Sequence, residues 1–143
     1  MRITTKTVFV TLAAGIALSA CTTVLDDEGT QTASCGYDSR NWQATIDRMP
    51  GPGAQAMLHI TGEIDMPTPG YSVELAQGPA DRMMPPGVRF QLTSEAPDGI
   101  VPQVIAPTKV EYREQTPYPQ IREIIIGCGD ETVATISPVP VVQ

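Results

Sequence analysis

One histidine, three cysteines and six methionines are the side chains of this sequence best suited to nucleophilic, redox or metal chemistry. His59 stands between Leu58 and Ile60, so alternation turns it away from the apolar face of its own segment. No serine occupies a G-x-S-x-G turn that would expose a nucleophile. Glu63 and Asp65, and Glu111 with Glu114, read as solvated strand faces rather than as an acid and base pair. No enzyme activity, small-molecule substrate or cofactor is therefore expected. Thioethers suit Cu(I), which makes Met83, Met84 and His59 the candidate copper donors. Against that, methionine commonly fills irregular core gaps, and no M-x-M spacing is present. The sequence therefore favours no metal site.

The chain has 143 residues, 41% of them apolar, enough for one small core. Sixteen acidic against nine basic side chains give a net charge of −7, which disfavours nucleic acid as a partner. Arg2 and Lys6 precede an apolar run from Val8 to Leu18 and then small residues. That is the layout of a secretory signal, with an apolar stretch too short to span a bilayer. Residues 1–20 are set aside as a signal peptide, and the remainder carries a net charge of −9. The signal's last residues, Leu18-Ser19-Ala20, together with the following Cys21 resemble the bacterial lipobox. The resemblance implies a diacylglyceryl thioether on Cys21 and a palmitate-type chain on its amine. Two or more chains anchor a protein stably where one does not. By resemblance to enterobacterial sorting, Thr22 in place of Asp implies the outer membrane, with the protein facing the periplasm. Residues 21–34 are polar and small and read as a flexible tether.

With Cys21 assigned to lipid, Cys35 and Cys128 remain, and an oxidising compartment allows them one pairing. Neither lies in a C-x-x-C motif, so the disulfide is read as structural.

These residues need a scaffold. Trp42, Ile46 and Met49 recur at helical spacing, which predicts a short N-terminal helix over Ser39 to Met49, stopped by Pro50-Gly51-Pro52-Gly53. Beyond it the period becomes 2. Strands are expected around Leu58 to Ile64, Tyr71 to Leu75, Val88 to Leu92, Ile100 to Val104, Val110 to Tyr112, Ile124 to Ile126 and Thr132 to Ile136. Ile124-Ile125-Ile126 reads as a strand buried on both faces. The fold class is mainly β: an antiparallel, immunoglobulin-like β-sandwich of about seven strands with one disulfide, over residues 35–137. Pro138 and Pro140 mark residues 138–143 as a frayed tail. Met49-Pro-Gly-Pro-Gly53, Met66-Pro-Thr-Pro-Gly70 and Met83-Met-Pro-Pro-Gly87 recur every 17 residues and read as turns rather than as a solenoid repeat.

One stretch carries a second resemblance. Pro67, Thr68, Gly70, Tyr71 and Ser72, in Met66-Pro-Thr-Pro-Gly-Tyr-Ser, look like the first binding loop of chagasin-like cysteine protease inhibitors. Met66 and Pro69 depart from that family's pattern. The resemblance implies an immunoglobulin-like inhibitor whose loop Pro67, Thr68, Pro69, Gly70 and Tyr71 enters a papain-type cleft. Pro85-Pro86-Gly87 falls in the order of the second loop but lacks paired glycines. Tyr112-Arg113-Glu114 lacks the third loop's Pro and Trp. The leading expectation is a lipid-anchored cell-envelope protein with a non-catalytic binding or structural module and an envelope protein as partner. The inhibitor is the alternative, and a periplasmic copper-binding protein the second alternative.

Overall fold

Alternation of apolar and polar side chains builds almost the whole of the computed structural model, which describes residues 35–143. The proposed signal, Cys21 and the tether lie outside the described residues. Strands make up 59% of what is described. They are β1 (Ser39–Arg48), β2 (Ala56–Met66), β3 (Ser72–Ala80), β4 (Gly87–Glu95), β5 (Ala106–Thr116), β6 (Glu123–Cys128), β7 (Glu131–Ile136) and β8 (Val141–Val142). Two four-stranded sheets form, ordered β5-β2-β1-β8 and β3-β4-β6-β7. They enclose one core in a sandwich-like arrangement. Ile46, Leu58, Ile60, Ile64 and Val110 come from the first sheet, and Val88, Phe90, Leu92, Ile124 and Ile126 from the second. Phe90 and Tyr112 meet edge to face between the sheets, with ring centroids 4.9 Å apart. The Tyr112 hydroxyl donates to Gln77 Oε1 at 3.2 Å, tying β5 to β3.

Five expectations are corrected, the fifth in β6. Ser39 to Met49 is not a helix but β1 with one following residue, paired with β2 and β8. Trp42, Ala44 and Ile46 share the inner side at period 2 while Met49 is exposed, so the apparent helical spacing came from taking Met49 as core. The sheets are mixed rather than antiparallel, because β4 runs parallel to β6 and β1 to β8. No strand forms around Ile100 to Val104. Those residues belong to the connection from 96 to 105, where Ile100, Val104 and Ile105 are exposed. The C-terminal residues are not frayed: Val139 is buried, and the Ile46 N–H donates to the Pro140 carbonyl at 2.9 Å. Pro138 and Pro140 shape the approach of an edge strand, where a missing N–H is tolerated.

The remaining strand expectations match β2 to β7, and the three Met-Pro segments do mark successive connections between β1 and β4. Ile125 is half-buried rather than buried, so β6 has a wet outer face. Pro79 and Pro107 sit in β3 and β5, both edge strands. Cys35 and Cys128 form the expected disulfide, joining the entry to β1 with the end of β6 in the opposite sheet.

Candidate functional site

Every connection from β1 to β7 reverses direction, while β8 continues in the direction of β7, so the loops gather at two ends. One end holds residues 35–38, 67–71, 96–105 and 129–130. The other holds residues 49–55, 81–86, 117–122 and 137–140. The first set contains three carboxylates (Asp38, Asp98 and Asp130) and no cation, and the second contains Asp81, Arg82 and Arg122.

The second end, away from the chain's entry, carries the apolar concavity. A groove of about 400 Å3 is lined by residues 81–86 with Tyr118, Pro119 and Gln120. Met83 and Met84 are exposed on its wall. Pro119 is shared with a neighbouring open cleft lined by Arg48, Gln55, Thr116 and Pro117.

The groove has a specific organiser. Asp81 Oδ1 accepts the Met83 and Gly87 backbone N–H groups, each at 3.0 Å. The Asp81 N–H donates to the Gly87 carbonyl at 2.9 Å, closing residues 82–86 into a lasso. Arg122 then crosses from the next connection. It reaches Asp81 Oδ2 at 2.8 Å, Glu123 Oε1 at 2.6 Å and Met83 Sδ at 2.7 Å. Its own N–H donates to the Pro86 carbonyl at 2.9 Å. A Cβ at Gly87 would stand 2.9 Å from Asp81 Oδ2 and 3.0 Å from Arg122 Nη2, so glycine makes room for the ion pair.

The Gly87 and Met83 N–H groups, followed by Arg122, hold the Asp81 carboxyl below the usual aspartate range. A depressed folded pKa contributes stability that is fully present above the unfolded pKa, near ~4, and is lost as pH falls through the folded value. The loop order around Met83 is therefore expected to loosen only in acid below pH ~4. Amide exchange of Met83 and Gly87 followed from pH 6 downwards checks this. Asp81→Asn should show fast exchange at every pH, and equal protection in both proteins would refute the role of the carboxylate.

The residues singled out from sequence are dispersed. Met83 and Met84 lie on the groove wall, whereas His59 lies on the outer face of the first sheet, between Thr45 and Arg113 in register. The candidate copper donors do not converge. In the loop Pro67 to Tyr71, Thr68 is buried, Tyr71 packs against the core, and Pro69 and Gly70 form the tip. Gly70 has φ +91, and a Cβ there would lie 3.1 Å from Pro97 Cβ, so this loop abuts the 96–105 connection. Asp81, Arg122 and Glu123 were missed by sequence reasoning. Their only local signal is the Asp-to-Gly spacing across Met-Met-Pro-Pro, because the cation comes from 41 residues away.

No family model matches the chain, and no curated protein or solved structure does either.

Proposed function

We propose that the chain is a lipid-anchored cell-envelope protein of the periplasmic face of the outer membrane. On this reading its immunoglobulin-like sandwich is a non-catalytic module that binds another envelope protein. The observation that carries the reading is the opposition of the two ends. The chain enters at Cys35, and the only strongly apolar groove among those described opens at the far end, beyond Met83 and Met84. A Cys21 lipid would hold the first end near the bilayer and turn the groove outward. The groove pairs flexible thioethers with Tyr118 and three prolines, a surface able to accept apolar side chains with little ordering of its own backbone.

Met84 is 93% exposed and can carry a photocrosslinker without disturbing the fold. A benzophenone side chain at Met84 in the full-length, membrane-inserted protein is expected to yield one discrete protein adduct. The same group at Thr93, on the outer face of β4, is expected to yield none. Adducts of equal pattern at both positions, or none at Met84, would overturn the groove as a binding surface. Cys21→Ser should move the protein from the membrane to the soluble fraction, and unchanged sedimentation would overturn the lipid anchor.

A second reading keeps one observation in its favour: the tip of half-buried Pro69 and exposed Gly70 stands beside the 96–105 connection, as adjacent loops of a cleft-filling inhibitor would. On that reading the mature domain titrates papain to completion near one-to-one. Full papain activity at micromolar domain removes it.

A further inference from the structure

The end through which the chain enters exposes apolar side chains that the sandwich does not use. Ile100 has a relative exposure of 105%, Val104 55% and Ile105 58%. All three lie in the 96–105 connection, at the tips of β4 and β5. Tyr37 is 69% exposed at the same end. Its N–H donates to the Asp65 carbonyl at 2.9 Å, and Met66 pairs with Ala106 on the other side of β2. Tyr37 and Ile105 therefore flank the tip of β2, about 10 Å apart across two strand spacings. An aromatic with a polar tip beside aliphatic loop residues is the composition of a membrane interface.

We propose that this end is a membrane-contact face, with Ile100, Val104 and Ile105 entering the headgroup region of a weakly charged, phosphatidylethanolamine-rich lipid surface. The proposal rests on the Cys21 anchor. From Cys21 to Ser34 there are 14 residues, which reach at most ~50 Å when extended. Cys35 is fixed to this end through Cys128. The lipid thus confines these side chains close to the bilayer, where a patch too weak to bind from solution acts at high effective concentration. Two features limit the depth. The connection is irregular backbone, which hydrocarbon does not tolerate. Asp38, Asp98 and Asp130 share the end and disfavour strongly anionic lipid. The contact is therefore shallow and made by side chains. It also explains why the aliphatic residues crowd the end nearest the anchor, where no partner protein is needed to cover them.

The test uses the full-length protein extracted from its membrane and reconstituted in vesicles of phosphatidylethanolamine and phosphatidylcholine. The phosphatidylcholine is brominated at shallow acyl positions. Ile100→Trp and Met84→Trp add a second indole at fully exposed positions on opposite ends, and unsubstituted protein supplies the Trp42 background. Mass analysis of the N-terminal peptide reports the lipid on Cys21. With the lipid present, the indole from Ile100→Trp is expected to be quenched at least twofold more than that from Met84→Trp. Equal quenching with the lipid present overturns the contact face and leaves the anchor standing. An N-terminal peptide without lipid overturns the anchor and the contact face together.

Discussion

Replacing Cys35 and Cys128 together by alanine is expected to lower the unfolding free energy by about 4–5 kcal/mol, the chain-entropy value for a closed loop of this length. The bridge spans 93 residues and encloses β1 to β6. A loss of that size would lower the melting temperature by roughly 15–20 °C in a domain of this size. Cys128 is fully buried against the core, so truncation also leaves a small cavity and moves the result toward the upper figure. The loss should be global rather than local. Even without the bridge, the entry remains tied by Tyr37 N–H to the Asp65 carbonyl at 2.9 Å and by Asp65 N–H to the Asp38 carbonyl at 2.8 Å. Thermal melts with and without reductant, compared with the double variant, check this. Coincident melts would mean that the bridge constrains nothing the unfolded chain would otherwise explore.

Most of the sandwich was legible because one face of each strand is dry and the other wet. Leu58, Ile60, Gly62 and Ile64 announce β2 by parity, and Val88, Phe90 and Leu92 announce β4, since a one-residue slip would invert each face. The errors sit where that contrast fails. Between Arg40 and Gln43 the register of β1 against β2 shifts, with Asn41 at φ +57, and this bulge breaks the alternation early in the strand. Trp42, Ile46 and Met49 then mimic a helical stripe. The segment from Ile100 to Val104 failed for the opposite reason. Its aliphatics follow an apolar pattern that the core does not bury, so periodicity reads as a strand a stretch that is exposed connection. The parallel pairings were also out of reach. Both β4 with β6 and β1 with β8 join strands far apart in sequence, and periodicity carries no pairing information.

The candidate groove was visible only as parts. Met83, Met84 and the adjacent prolines stood out as a turn with soft donors, and the turn was correct. Its depth depends on Tyr118 and Pro119 from another connection, and its shape on Arg122 crossing to Asp81. Those contacts arise because β4 and β6 run side by side and start at the same end. The loop at Pro67 to Tyr71 shows the converse. Its letters suggested an exposed binding element, yet burial of Thr68 gives the middle of the motif a packing role. A resemblance in sequence does not fix which side of a turn faces solvent.

Gly62→Ala provides the sharpest test of the packing, because two principles assign it opposite signs. In an ordinary strand, alanine is favoured over glycine by about 0.5–1 kcal/mol through backbone entropy. Gly62 is not ordinary. It lies on the buried face of β2, and an added Cβ would fall inside the Trp42 indole, against Cε3 and Cδ2 and 2.7 Å from Cζ3. The bulge in β1 directs the indole over this position, and the missing side chain of Gly62 is the notch that receives it. Trp42 is half-buried and packs against the core. Gly62→Ala must push the ring outward or spread β1 from β2, and overpacking of this kind typically costs about 1–3 kcal/mol. Trp42 is the only tryptophan in the chain, so its emission reports the displacement directly. The expected result is a lower melting temperature together with a red shift and stronger quenching by iodide. In a Trp42→Leu background the obstacle is gone, and the same glycine substitution should become neutral or stabilising. That change of sign separates a steric notch from a backbone requirement for glycine, since a backbone requirement would make Gly62→Ala equally harmful in both backgrounds.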